Sequence, residues 1–561
     1  MTVTRDAALA GPRSERADLF LSAAAIVALA VAQPLLDLLG RTPPFFIARA
    51  ASTFEVVMVG LVLGIGLPLV VAAAAAGGHA LNRYAGLAVH GAVMTVGGGL
   101  LVAEALQHTP AAGWPGWVQL AVAGIAGVTL VLAYHRAASI RGMLRYGAVA
   151  PLAVAALFLV VAPTSRLVWG TSGVAMAAGP VANPAPVVMV IFDEFPVATL
   201  IDGTGQIRGD QFPGFARLAA DSTWFRNAVG VHERTEQALP AMLSGRLALD
   251  DERAPSAADY PDTLFSLMED GYRVEAVESV TALCPTTVCV DGSRRRPPLA
   301  DWWSSLAGDL AVVAGHVLLP THLAAGLPPI DQGWSGFLAS EASPEVEPPQ
   351  ETPLEQSVNR RFNQAVDNDR RRALASFEFR FDDPLAADRL FVGHFLLPHS
   401  PWTILPDGRR YSVARVPPGD WSVWTQDAWV VEQAYQSHLL QVQFVDRFVG
   451  DLIDRLEELD SYEDALVVVT ADHGVAIRPG TDRRTITADN VGEVAAVPLF
   501  VKRAGQLQGQ MSDYRAETTD ILPTVAALLG VGSRGRSPGS ISSPRICRHG
   551  TPAPCTARRV R

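Results

Sequence analysis

Lysine is almost missing from this chain. Of its 45 basic residues only Lys502 is a lysine, a bias toward arginine that carries no mechanism. Net positive charge is missing too: 56 acidic residues outnumber the basic ones, for a formal charge of -11. Residues 1–170 hold ten Arg and six acids, so everything after them sums to -15. An acidic surface of that size excludes wholesale nucleic-acid binding. Cysteine is scarce, with four in 561 residues. Cys284 and Cys289 lie close together in LCPTTVCV, and no further metal ligands stand nearby to make a thiolate site. Outside the cytoplasm such a pair suits a local disulfide. Low apolar content, the mark of a disordered chain, is absent: 49% of residues are hydrophobic and mean hydropathy is +0.21.

That hydropathy is concentrated. Five apolar stretches run near 19–39, 54–76, 84–106, 114–134 and 146–165. Each is about 18 or more residues long, enough to cross a hydrocarbon core as a helix. One such stretch would suit a signal peptide; five do not. Arg5, Arg13, Arg16, Arg83, Arg136, Arg141 and Arg145 fall on one side, against Arg41 and Arg49 on the other. The basic side is expected to face the cytoplasm, which puts everything after residue 170 outside it. Asp37, Glu55 and Glu104 sit near span ends, as interfacial acids do. No pair of broken, polar-lined spans points to a transporter.

Residues 171–186, rich in Gly, Ala and Pro, read as a linker. VVMVIF (187–192) is then a continuous apolar run that stops at Asp193-Glu194. A buried parallel strand has that pattern, and its carboxyl end is where open α/β sheets place their sites. The pattern repeats in ALVVVTADHG (465–474), an apolar run meeting Asp472, His473 and Gly474. VQFVDRFVGDLIDRLEEL (442–459) precedes it with helical spacing, which argues for a mainly parallel central sheet flanked by helices. The expected organisation is a cytoplasmic tail (1–16), a five-helix membrane domain (17–170), the linker, an α/β catalytic domain (187–532) and a basic low-complexity tail (533–561). A sixth crossing at 306–327 would separate Asp193 from Asp472, so that stretch is expected to be an interfacial or buried helix.

Two strand-end carboxylates and a histidine make an oxygen-rich site that suits one divalent ion, Mn²⁺ or Zn²⁺. A threonine hydroxyl such as that of Thr235 needs a metal or a base to become a nucleophile. VDRFVGDLIDRLEELDSYEDALVVVTADHG, FDEFPVATL, HERTEQALPAMLSG, AAVPLFVKRAGQ and TTDILPTVAALLGV occur in this order. Together they resemble the signature of the alkaline phosphatase/sulfatase superfamily, over roughly 187–531. The resemblance implies that Asp193, Asp472 and His473 bind the metal, with Glu194 a second choice for the first carboxylate. It makes Thr235 both nucleophile and metal ligand, and gives His399 in HFLLPHSPW a contact with the substrate anion.

Two departures narrow the expected activity. The Cys/Ser-x-Pro-x-Arg motif that matures to formylglycine in true sulfatases does not occur, which favours phosphate chemistry. No His has an Asp four residues before it, so the second metal site of the two-metal members is not expected. The chain resembles lipoteichoic acid synthases and phosphoethanolamine transferases. This implies a membrane-anchored phosphotransferase or phosphodiesterase acting on an envelope lipid or lipid-linked phosphodiester. Hydrolysis of a phosphate or sulfate ester is the alternative. Arg478 is open to either a phosphate or a solvent role; Asp446, Glu493 and Asp520 read as structural.

Overall fold

A computed structural model of the chain describes residues 12–170, 178–247, 253–289, 299–324, 327, 330, 370–371, 373–375, 377, 380–381, 383–411 and 423–533. The basic tail after 533, the start of the linker and the polar stretch from 341 lie outside the described residues. Two compact units are present. One contains residues 1–171, with the described parts of 252–259 and 294–369; the other contains the remainder.

The first unit is helical. Five of its helices are long and apolar enough to cross a membrane: α1 (Glu15–Arg41), α2 (Thr53–Ala80), α3 (Arg83–Gln107), α4 (Gly116–Arg136) and α5 (Ala138–Val161). Small residues let α3 and α4 approach closely, since a Cβ on Gly127 would stand 2.0 Å from the Thr95 carbonyl oxygen. The helix Leu299–Leu318 is not among the five, and packs on α1 and α3 within the same unit. Its buried face carries Trp302, Leu306, Val312 and Val313. Asp309 on that face forms a buried ion pair with Arg49. The Trp302 indole N–H donates to the Arg49 carbonyl at 3.0 Å, and the Arg49 guanidinium lies 5.6 Å from the Trp302 ring. Gln107 donates to the Leu319 carbonyl at 3.0 Å.

The second unit is α/β. Among the described residues its strands are β1 (Ala178–Val181), β2 (Val187–Asp193), β3 (Thr223–Phe225), β4 (Arg273–Val277), β5 (Arg389–Pro398), β6 (Leu466–Ala471), β7 (Leu499–Lys502), β8 (Gln510–Ser512) and β9 (Val531–Ser533). Seven form one sheet in the order β4-β5-β2-β6-β7-β3-β8, while β1 and β9 pair separately. β4, β5, β2 and β6 run parallel, and β7 is antiparallel to both β6 and β3. β2 is buried along its whole length. Each large apolar side chain so placed contributes roughly 1.5–3 kcal/mol. A chain of rings (Phe192, Phe195, Phe215, Phe500) joins the sheet to its helices at centroid spacings of 5.5–6.0 Å.

Helix Ala428–Glu458 lies across this core. Its Asp446 accepts from the backbone N–H groups of Gly214 at 3.1 Å and Phe215 at 2.8 Å. It thereby caps the helix Pro213–Asp221, whose first amides have no partner within that helix. Burial pushes this carboxyl up to about 6, against those two hydrogen bonds.

Candidate functional site

The parallel strands end on one edge of the sheet, and their termini bring together the residues that stand far apart in sequence. Asp193 closes β2, Asp472 follows β6, and His394 lies on β5 beside them. All three are buried, and single ligand atoms from each lie within 4.8 Å of one another. Neither oxygen of Asp193, neither ring nitrogen of His394, nor Oδ2 of Asp472 has a hydrogen-bond partner. Buried polar groups left in this way are costly unless something fills the space between them. Burial and then Asp472 hold the Asp193 carboxyl well above its usual range, with His473 opposing. Burial also pushes Asp472 up to about 7, against the Thr235 hydroxyl and the His473 N–H. A divalent cation would reverse that balance, and the orphaned oxygen and imidazole donors fit one.

His473 completes the group. Its Nδ1 lies 2.9 Å from the Gly474 carbonyl oxygen, which fixes the proton on Nδ1 and makes Nε2 an acceptor. Nε2 stands 3.6 Å from Asp193, 3.8 Å from Asp472 Oδ2 and 3.5 Å from Oγ1 of Thr235. The turn needs glycine next, because a Cβ on Gly474 would be 2.0 Å from the Glu493 carbonyl oxygen. Thr235 opens the helix Thr235–Ser244; the N-cap is Arg234, so the Thr235 hydroxyl is not spent on capping. Only 1% of Thr235 is exposed, and the helix N-terminus there favours negative charge on its oxygen.

Glu194 belongs to a second cluster. Its backbone has a φ of 57°, which turns its side chain away from that of Asp193. It accepts from Arg484 Nε at 2.7 Å and from the Ser400 N–H at 3.3 Å, with Arg483 at 3.5 Å. Burial would raise its pKa, but Arg484, His399 and Arg483 outweigh burial and hold it well below the usual range. His399 is held well below its usual value by burial, with Arg484 and Arg370 adding to this against Glu194. Its Nδ1 stands 2.5 Å from the Ser400 carbonyl oxygen, and its Nε2 meets Arg484 Nη2. Both ring nitrogens of His399 are therefore engaged, and the partly exposed guanidinium of Arg484 is the cation presented at this edge.

Asp193, Thr235, Asp472 and His473 converge as a group. Glu194 and His399 form the adjoining arginine-rich wall. The sequence places His394 on the buried end of a strand rather than in the site; it is buried on β5, and that position also sets it beside Asp193 and Asp472. Sequence reasoning missed Arg484, although two arginines ten and eleven residues beyond His473 were a visible signal. Arg478 pairs with Glu493 at 3.0 Å, and Asp520 accepts the Glu517 N–H at 3.0 Å. Cys284 and Cys289 form a disulfide.

A mainly parallel sheet thus carries a strand-end cluster of acids, histidine and threonine. Comparison with known proteins finds that residues 338–531, about a third of the chain, match the sulfatase family model. A curated relative, endo-4-O-sulfatase from Bacteroides thetaiotaomicron, is 28% identical over 102 residues. The match takes in 18% of this chain and spans about a fifth (20%) of that relative. Among solved structures, a phosphonate monoester hydrolase from Silicibacter pomeroyi is similar at 16% identity and a TM-score of 0.41, covering 65% of this chain and 78% of the other. The C-terminal periplasmic domain of EcEptC from Escherichia coli is similar at 15% identity and a TM-score of 0.37, covering 66% and 92%.

Proposed function

We propose that the protein is a membrane-anchored, metal-dependent phosphotransferase or phosphodiesterase that uses Thr235 as its nucleophile. The observation that carries this is the Thr235 hydroxyl, buried beside unpartnered carboxylate oxygens and within hydrogen-bond reach of Nε2 of His473. Asp193, Asp472 and His473 would hold one Mn²⁺ or Zn²⁺, with Thr235 and His394 at its edge. The ion supplies positive charge that makes the threonine hydroxyl more acidic and neutralises phosphate oxygens. Thr235 Oγ1 attacks phosphorus of a phosphodiester, its proton leaves with the departing alcohol, and a phosphothreonine diester remains. An acceptor hydroxyl, or water, then takes the phosphoryl group and returns a proton to Thr235. Arg484 stabilises the phosphate oxygens, and Glu194 and His399 orient it.

The donor is a membrane lipid or lipid-linked molecule, which five membrane-crossing helices bring within reach. The arginine distribution supports a cytoplasmic N-terminus and an extracytoplasmic catalytic domain, and the disulfide suits that compartment. The match to sulfatases favours a second reading, ester hydrolysis to water. A lipid labelled in its headgroup separates the two: transfer of label to an acceptor supports the first, release to water alone the second. Mass spectrometry after donor exposure tests both. A phosphoryl adduct on Thr235 is expected, and labelling elsewhere with Thr235 unmodified would sink the assignment.

A further inference from the structure

The ladder between β4 and β5 runs up to Val277 and Gly393, one residue short of His394. His394 is not left without support. Its backbone carbonyl accepts from the Ser279 hydroxyl at 2.8 Å, so a side chain continues the ladder where the backbone stops. Ser279 itself sits in a segment folded onto its own ends. The Glu278 carboxylate accepts from the Thr281 hydroxyl at 2.8 Å, the Leu283 N–H at 2.7 Å and the Cys284 N–H at 3.0 Å. Val280, Thr281 and Leu283 are buried. The segment closes at the Cys284–Cys289 disulfide, and Cys289 bridges back to Val274 on β4. A six-residue covalent ring, a carboxylate clamp and a strand bridge thus converge on the loop that makes the Ser279–His394 bond.

We infer that Ser279 is a positioning residue for His394, and that the Cys284–Cys289 loop is the brace that holds it there. The inference rests on the metal-site reading above. Neither buried ring nitrogen of His394 has a hydrogen-bond partner, and its Nε2 lies 3.9 Å from Asp472 Oδ2, so the placement of its backbone bears directly on where the imidazole points. Removing a partner of a metal-binding histidine's ring typically costs about 10–100-fold in metal affinity, and a partner of its backbone is expected to act at the lower end of that range. The brace is therefore expected to set how tightly the cluster binds its ion, without touching it.

The test uses the full chain in detergent and Mn²⁺ as the probe, with affinity read by calorimetry and folding by thermal melting. Ser279→Ala is expected to weaken Mn²⁺ binding about tenfold with little change in melting of the metal-free protein. Ser279→Thr, which keeps the hydroxyl, is expected to restore it. Opening the disulfide in the folded wild type with a phosphine reductant is expected to weaken binding in the same direction, and the Ser279→Ala protein should then respond less. This keeps the test independent of whether a Cys284→Ser variant folds. Unchanged Mn²⁺ affinity in Ser279→Ala, or in His394→Ala, overturns the inference while leaving the site intact. Wild-type protein that binds no Mn²⁺ or Zn²⁺ overturns the metal-site reading itself.

Discussion

Two of the places where the described residues bury charge treat it in opposite ways. In the helical unit, Asp309 meets Arg49, and the arginine is boxed in by the Phe45 and Trp302 rings. In the α/β unit, Asp193 and Asp472 are just as buried, but three of their four oxygens have no partner. A buried pair satisfied within the chain is a structural joint. Buried carboxylates left unsatisfied are a standing cost that folding bears only if something else arrives to meet them.

The largest expected effect tests the unsatisfied side. Thr235→Ala and Asp472→Asn should each lower kcat/KM for a labelled lipid phosphodiester by about a thousandfold or more. Asp193→Asn should abolish activity equally, yet leave the metal-free protein as stable as wild type or more so in thermal melts. A clear loss of metal-free stability would break the contrast. The satisfied side should behave in reverse. Asp309→Ala leaves Arg49 buried alone and should cost about 3–5 kcal/mol in denaturant unfolding, whereas Arg49→Met with Asp309→Leu should recover most of it. Between these lies the arginine wall. Arg484→Gln should raise KM about 10–100-fold with a smaller change in kcat, as loss of one charged hydrogen bond predicts. Steady-state kinetics with Glu194→Gln should show the same direction, because Glu194 orients Arg484.

The smallest effect concerns Asp446, a carboxyl that is buried but hydrogen-bonded. Its folded pKa, about 6, is raised above the ordinary value of 3.8. Its favourable contribution is therefore complete below about pH 4 and is lost as pH rises through 6. Comparing melting of wild type and Asp446→Asn across pH 4–7 should show a relative swing of roughly 2–3 kcal/mol. A flat difference would remove the assigned cause.

Asp193 and Asp472 were legible because an apolar run that halts at an acid is a local pattern. Thr235 and His473 came with the motifs around them. The five crossings were legible for the same local reason, since length and hydropathy decide them. Glu194 was ambiguous because two adjacent carboxylates look alike on paper; the left-handed backbone at Glu194 sends it toward the arginines. His394 reads from sequence as a buried strand residue, which it is; only its ring nitrogens, without hydrogen-bond partners, mark it off from a core histidine. Arg484 and the Asp309 partner depend on segments hundreds of residues apart, about which local spacing is silent.

The helix Leu299–Leu318 has a practical consequence for anyone cutting this chain at the linker. A fragment beginning near residue 172 would contain that helix but none of α1, α3 or Arg49. Trp302, Leu306, Val312 and Val313 would then meet solvent, with a lone carboxylate among them. Such a fragment is expected to aggregate or to need detergent although it lacks every membrane-crossing helix. A well-behaved soluble version requires excising that helix or repainting its apolar face with polar residues.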